Sequence, residues 1–243
     1  MIDLHCHLLP SIDDGPKSLN DSLAMARFAV DADIEFAVLT PHFNPGRYPN
    51  TRTTIETHWR NFQKALEDAE IPLQTRFAAE VRISPDIFPL ILENEIPFLG
   101  QLDGYNVLLL EFPHSHIPPG SERFTEKLIE SGVRPLIAHP ERNKDVMRNL
   151  SKIEPFIRAG CLLQLTASSV SGDFGPRANA RALELLEYEA CYAIASDAHN
   201  LKSRKPDLRA GAAAAEKVLG PQLARELVYD NPRAIVAPPG LVP

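Results

Sequence analysis

Asp3-Leu4-His5-Cys6-His7, followed by Asp13-Asp14-Gly15-Pro16, sets two imidazoles and a pair of adjacent carboxylates at the start of the chain. In an extended segment, residues two apart face the same side, so His5 and His7 can aim at one point if Ile2 to His5 is a strand. Neutral imidazole is a common metal ligand, and a carboxylate a few residues on can complete or bridge such a site. Alone, His-x-His fits two ordinary histidines at a strand end equally well. What the rest of the chain places at its own strand ends decides between the two.

Moving outward, Phe36 to Thr40 reads as a strand stopped by Pro41, with His42 directly after it. Gln74 to Ile83 is a third strand, carrying Glu80 inside the otherwise apolar Phe77-Ala78-Ala79-Glu80-Val81, where a carboxylate is costly unless paired or metal-bound. Asn106 to Phe112 is a continuous apolar run of the kind buried on both faces of a parallel sheet, and it ends in Glu111. Val133 to Ala138 runs into His139-Pro140-Glu141-Arg142. Cys161 to Thr166 ends in no obvious ligand, and Cys191 to Ser196 leads to Asp197-Ala198-His199-Asn200. Helices alternate with these strands. Ser18 caps one running to about Asp33, and Thr51 caps one with Ile55, Trp59, Phe62 and Leu66 on one face. Ser84-Pro85 opens the next with a cap and an N1 proline, and Ser121 caps another closed by Gly132. Further helices are expected to about Ala159, around Ala180 to Glu189, from about Leu208, and over Gln222 to Tyr229, before a proline-rich tail from about residue 237.

Strand-then-helix units imply parallel strands with right-handed crossovers, in an open sheet or a closed barrel. Six of seven strands end in a histidine or carboxylate. An open sheet would spread these along an edge, whereas a barrel gathers them at one mouth. The expected architecture is a single α/β domain over residues 1–243, a distorted seven-stranded (β/α)7 TIM-like barrel.

Composition narrows the function. With 44% hydrophobic and 23% charged residues the chain can bury a large core, and its net charge of -7 argues against a nucleic-acid surface. There is no signal-peptide pattern and no apolar run long enough to span a bilayer, so a cytoplasmic location without membrane insertion is expected. Cys6, Cys161 and Cys191 form neither a disulfide framework nor a zinc-ribbon spacing.

With Asp14 included, the candidate ligands are His5, His7, Asp14, His42, Glu80, Glu111, His139, Asp197 and His199, too many for one ion. Two or three divalent ions are implied, and mixed nitrogen and oxygen donors without thiolate suit manganese, iron or zinc. Adjacent divalent ions are an apparatus for phosphoester hydrolysis, in which a metal-bound hydroxide attacks while the leaving oxygen is stabilised.

Asp3 to His7 with Asp13 to Pro16, His139 to Arg142, Ile194 to Asn200 and Asp230-Asn231-Pro232-Arg233 together resemble the PHP superfamily, specifically the CpsB/YwqE type of bacterial tyrosine-protein phosphatase, over essentially the whole chain. The resemblance implies a trinuclear, usually manganese-dependent site that dephosphorylates tyrosine autokinases governing capsule or exopolysaccharide synthesis. By matching motif, His5, His7, Glu80 and Asp197 would hold one ion, with Glu80 bridging to a second held by Glu111 and His139. Asp14, His42 and His199 would hold the third. Arg142 would grip the phosphate, with Arg204 as a second arginine; the match there is weaker, because Leu201-Lys202-Ser203 departs from the usual sequence.

Other positions stay open. Arg142 could instead pair on the surface with Glu141 or Asp145. His114 and His116 lie in a loop near the expected mouth, where His114 could touch substrate, and Asp13 could support a ligand or simply cap the turn. Phe43, Tyr48 and Phe112 are available to pack a phosphotyrosyl ring. The alternatives to a protein-tyrosine phosphatase are a small-molecule enzyme of the same superfamily, such as a histidinol-phosphate phosphatase, and a non-catalytic metal- or partner-binding module. A cysteine-dependent phosphatase needs Cys-x5-Arg, and the residues six beyond the cysteines are Ile12, Ala167 and Asp197.

Overall fold

The first strand, β1 (Ile2–Cys6), is buried along its whole length and pairs in parallel with β2 (Phe36–Leu39). In the computed structural model, which describes residues 1–188 and 190–237, the chain continues through α1 (Leu19–Asp31), β2 (Phe36–Leu39), β3 (His42–Phe43), α2 (Arg52–Asp68), β4 (Gln74–Phe77) and β5 (Glu80–Arg82). It then forms α3 (Ile87–Leu92), β6 (Gly100–Leu102), β7 (Tyr105–Glu111), α4 (Ser121–Glu130), β8 (Val133–Ala138), α5 (Lys144–Arg148) and α6 (Glu154–Arg158). Last come β9 (Leu162–Thr166), α7 (Ala167–Ser171), α8 (Pro176–Glu187), β10 (Cys191–Ala195), α9 (Arg209–Leu219), α10 (Pro221–Arg225) and α11 (Asn231–Val236). The expected proline-rich tail lies almost wholly outside the described residues, as does Glu189.

The strands fall into two sheets: β1-β2-β4, and β10-β9-β8-β7-β5-β3 with β6 pairing β7 at the side. Every pairing is parallel except β6 with β7, a hairpin that the sequence reading did not anticipate. Two segments read as single strands are each broken. Thr40-Pro41 separates β2 from β3, because proline cannot donate to a ladder, and Ala78-Ala79 separates β4 from β5. Each break carries the chain from the first sheet to the second, and backbone bonds from Ala78 N to Leu39 O (2.9 Å) and Glu80 N to Pro41 O (3.1 Å) hold the broken strands together. At the other edge Asp197 N donates to His5 O and His7 N to Ala198 O, both at 2.8 Å, linking the end of β1 to the segment after β10.

Two apolar clusters divide the interior. The smaller joins Ile2, Leu4, Val38, Ala78, Val107, Leu109, Leu136, Ala138 and Ala193, mostly alternate residues of strands from both sheets. The larger takes neighbouring positions, such as Leu39, Val81, Leu108, Leu110, Ile137, Leu163 and Ile194, and packs them under the helices. Continuing the smaller cluster's alternation toward the strand ends reaches His42, Glu80, Glu111 and Asp197. β1 is the exception. Its pairing with β2 runs Asp3 to Ala37 and then Cys6 to Leu39, so one extra residue intervenes. This bulge shifts the alternation by one, from Ile2 and Leu4 to His5 and His7.

Two of the expected helix caps form as read. Ser18 accepts from Asp21 N, and Thr51 forms a reciprocal capping box with Thr54, each contributing about 1 kcal/mol. Two expected caps differ. The Ser84-Pro85 helix starts later, at Ile87, behind Asp86 with no side-chain cap bond. Ser121 is the first helical residue behind Gly120 rather than the cap, and its hydroxyl donates back to Pro118 O.

Candidate metal centre

The turns after the strands carry the site. Asp13 and Gly15 fix the first one: Asp13 Oδ1 accepts from Gly15 N (2.8 Å), and a Cβ on Gly15 would lie 2.6 Å from His7 O, so only glycine fits there. His139 and Asp197 follow β8 and β10 in left-handed backbone (φ 37° and 50°). Asn143 caps α5 with its side-chain oxygen and donates to Pro113 O (2.7 Å). It thereby ties the His139–Arg142 turn to the loop carrying His114.

All nine expected ligands come together. Four overlapping groups have ligand atoms mutually within 4.8 Å: His7, Asp14, His42 and His199; His5, His7 and Glu80; His5, His139 and Asp197; and His42, Glu80 and Glu111. Among the described residues these groups contain the nine and no others. Glu80 is the hub. Its Oε1 lies 2.9 Å from His139 Nε2 and 3.5 Å from His5 Nε2, while its Oε2 lies 2.7 Å from His42 Nδ1 and 3.5 Å from His7 Nε2. Asp14 Oδ1 sits 3.2 Å from both His42 Nε2 and His199 Nε2. His5 Nε2 and His7 Nε2 face each other at 3.2 Å.

A ring of supporting groups fixes the tautomers. His5 Nδ1 donates to Gln164 Oε1 (2.8 Å), His7 Nδ1 to Asp13 Oδ2 (2.7 Å), and His199 Nδ1 to Asp197 O (3.0 Å), which leaves each Nε2 lone pair facing the cluster. Asp13 therefore serves both roles left open for it, holding the turn and orienting His7. Gln164 and Arg82 were missed in the sequence. Gln164 was visible only as an amide in the middle of the mostly apolar β9, and Arg82 as the position two beyond Glu80; its guanidinium lies 3.0 Å from Glu111 Oε1.

Without cations the cluster is electrostatically frustrated. Burial, then the charge of Glu80, lifts Glu111 to about 8. Burial works against a charged His42, yet Glu80 and Asp14 outweigh it and lift that imidazole to about 9. Burial first, then Arg142, holds His139 down near 3, and burial with His7 holds His199 near 4. Glu80 Oε2, Glu111 Oε2 and His199 Nε2 are buried atoms that make no well-aligned hydrogen bond, although His42 lies 2.7 Å from the first and Asp14 3.2 Å from the last, an arrangement that is costly in a finished protein interior. Such a donor set, nitrogen and oxygen atoms converging with unused lone pairs, fits divalent cations.

Around it, Arg142 and Arg204 both donate to Asp197 Oδ2, so Arg142 is not the surface partner of Glu141 or Asp145. Tyr48 stacks on His42 (centroids 5.1 Å, 11°) and His114 on His139 (5.1 Å, 14°). Both line a cavity of ≈ 100 Å³ with Asn44, Arg47, Arg82 and Arg204. Phe43 and Phe112 do not. Each is 4% exposed and packs in the larger core, Phe112 against Phe156. Phe43 follows His42 in β3 and so turns its ring to the opposite face. His116 lies outside the lining, bonded to Ser115 Oγ at 2.8 Å.

A family model described as capsular polysaccharide synthesis, CpsB/CapC, matches residues 1–237. The tyrosine-protein phosphatase YwqE of Bacillus subtilis is 35% identical over 223 residues, 92% of this chain and 87% of that protein. The tyrosine-protein phosphatase CpsB of Streptococcus pneumoniae is 28% identical, covering 97% of this chain and 98% of its own. Among solved structures, one from work on B. subtilis YwqE and S. pneumoniae CpsB, described as unique metal-dependent tyrosine phosphatases, superposes with a TM-score of 0.90 at 33% identity, covering 97% of this chain and 94% of that one. The lactonase Lmo2620 of Listeria monocytogenes shares only the fold, at a TM-score of 0.54 and 14% identity, over 97% of this chain and 94% of its own.

Proposed function

The chain belongs to the CpsB/CapC family, and on that premise we propose that it is a metal-dependent phosphatase hydrolysing phosphotyrosine in proteins, in particular on a tyrosine kinase of capsule or exopolysaccharide synthesis. The observation that carries this reading is the convergence of nine nitrogen and oxygen ligands, with unpartnered buried lone pairs, beside two arginines. We assign two to three ions, manganese first. His5, His7, Glu80 and Asp197 would hold one, Glu80 with Glu111 and His139 a second, and Asp14, His42 and His199 the third, a division that follows the family resemblance. When bound, the ions supply an activated water and neutralise phosphate charge.

The chain's own residues do the rest. Arg142 and Arg204 each bring five N–H donors and spend one on Asp197, leaving others for the phosphoryl oxygens. Tyr48 and His114 wall the cavity as flat rings that suit a phosphotyrosyl ring. Burial, then Arg142, keeps His114 neutral, with its value lowered to about 4. A groove of ≈ 450 Å³ leads away from Asp14 and His199 past Lys17, Met25 and Leu201. An open groove beside the cavity favours a peptide over a small metabolite, which would need enclosure.

The same reading treats the chain as one domain and the two sheets as arcs of one distorted barrel. Its support is the set of backbone bonds bridging β2 to β5 and β1 to the segment after β10, and the small apolar cluster shared by both sheets. The free thiols of Cys6, Cys161 and Cys191 suit a cytoplasmic setting, and no helix among the described residues is long and apolar enough to cross a membrane.

The test is metal analysis of the purified protein together with kcat/KM for a phosphotyrosyl peptide, a phosphoseryl peptide and histidinol phosphate, using manganese-loaded enzyme. The phosphotyrosyl peptide should lead. A preference for histidinol phosphate by about tenfold or more, roughly 1.4 kcal/mol of transition-state binding, would overturn the substrate reading.

A further inference from the structure

Phe174 lies in the loop between α7 and α8. The ring is half-buried and belongs to neither apolar cluster nor to the partly buried residues packed against them, so core packing does not explain its placement. What it meets is a guanidinium: Arg142 Cζ stands 5.0 Å from the centre of the Phe174 ring.

The loop is built to hold that position. Gly172 and Gly175 adopt left-handed backbone (φ 99° and 91°), which side-chain-bearing residues rarely adopt. Gly175 N donates to Gly172 O and Phe174 N to Ser168 O, both at 3.0 Å. Asn179 then reaches back from α8 to Ser169 O (3.0 Å) and Val170 O (2.9 Å). The other end of the pair is fixed as firmly. Glu141, fully buried, accepts from Thr166 N (3.0 Å) and ties the 3-10 turn Pro140–Arg142 to the β9–α7 junction.

We propose that Phe174 is a positioning residue for Arg142, holding its guanidinium so that the in-plane N–H donors point at the phosphoryl group of the substrate. The proposal rests on the phosphate-gripping role given to Arg142 above. A ring on one face attracts the cation without using any N–H, and attraction of this kind strengthens as the pair is shielded from water. Asp197 Oδ2 takes one in-plane donor. Between ring and carboxylate the side chain keeps little freedom, so less order remains to be imposed when phosphate arrives.

The experiment compares Phe174→Ala, Phe174→Leu and Phe174→Tyr in the manganese-loaded full chain, with Arg142→Ala as reference. Readouts are inorganic phosphate binding by calorimetry, KM and kcat for a phosphotyrosyl peptide, and metal stoichiometry. Phe174→Ala and Phe174→Leu should each weaken phosphate binding and lower kcat/KM about fivefold at unchanged metal content, whereas Phe174→Tyr should match the parent. In an Arg142→Ala background, Phe174→Ala should have no further effect. Leucine preserves apolar volume but not the ring face, so a parental Phe174→Leu would overturn the proposal even if the alanine variant failed to fold. An undiminished Phe174→Ala effect without Arg142 would overturn it too. If Arg142→Ala alone left phosphate binding intact, the role given to Arg142 would fall, and this inference with it, while a phosphotyrosine preference could still stand.

Discussion

The floor of the site and its rim solve the same problem, how to keep charged side chains near each other, in opposite ways. On the floor, His5, His7, Glu80 and Asp197 are at most 1% exposed, held at the strand ends with almost no contact with bulk solvent. At the rim, Asp14 keeps 41% of its side chain in contact with solvent, and Arg142 and Arg204 about a fifth of theirs (18% and 23%). The rim can relax its charges into water or into ion pairs. On the floor only Asp197 has that outlet, through the two rim arginines; the other charges relax through protons or cations. The floor should therefore fail all at once when disturbed, and the rim by degrees.

The severest break is at the hub. Glu80→Ala removes the one carboxylate that four imidazoles face. Phosphatase activity should fall by more than about a thousandfold, roughly 4 kcal/mol, and metal content should fall with it. Metal analysis showing full occupancy in this variant would remove Glu80 from the centre. Arg142→Ala probes the rim at the next level. Turnover should drop about a hundredfold, near 2.7 kcal/mol, at unchanged metal stoichiometry, so activity and metal content part company where in the hub variant they move together. Gln164→Leu tests the floor's support. His5 loses the acceptor that fixes its tautomer, and metal affinity should fall by about ten- to a hundredfold, read by competition with a chromophoric chelator; unaltered affinity would make Gln164 a bystander.

The mildest test is stability against pH in the chelated protein. Glu111 at about 8 and His42 at about 9 remain protonated in the folded chain where the unfolded chain, with ordinary values of 4.5 and 6.5, has lost those protons. Between about pH 6.5 and 9 the folded state thus binds more protons, and its stability should decline as pH rises. The depressed histidines, His114, His139 and His199, act with the opposite sign, but below about pH 6.5. Bound metal displaces the same protons, so the stabilisation it confers should grow across this window. Melting curves of metal-free protein that rise from pH 6.5 to 9 would contradict the frustrated-floor account.

The floor was readable in the sequence because its chemistry is tied to strand ends. A histidine or carboxylate at the close of an apolar run has few bland explanations, and the helix caps Ser18 and Thr51 obey short-range rules. The rim was less readable. Whether Phe43 faces the cavity depends on β3 resuming after Pro41, which turns adjacent side chains to opposite faces, and nothing local announces that resumption. Ser121 looked like a cap, but Gly120, in left-handed backbone, takes that position. Gln164 was passed over because an amide in an apolar strand gains meaning only once His5, 159 positions away in sequence, is seen beside it.

The bulge in β1 carries a consequence for how the chain tolerates change in length. Asp3 sits at the bulge, accepting from His5 N (3.2 Å) and Ser196 N (3.0 Å) and from the Ser196 hydroxyl, so the extra residue is bolted to the segment that carries Asp197. Deleting one residue between Asp3 and His5 would restore an even pleat and swing both imidazoles off the cavity together, although every side chain needed for chemistry would still be present. The opening strand is thus written in a reading frame of its own: it can absorb many single replacements of Leu4 or Cys6 by similar residues, but no single insertion or loss.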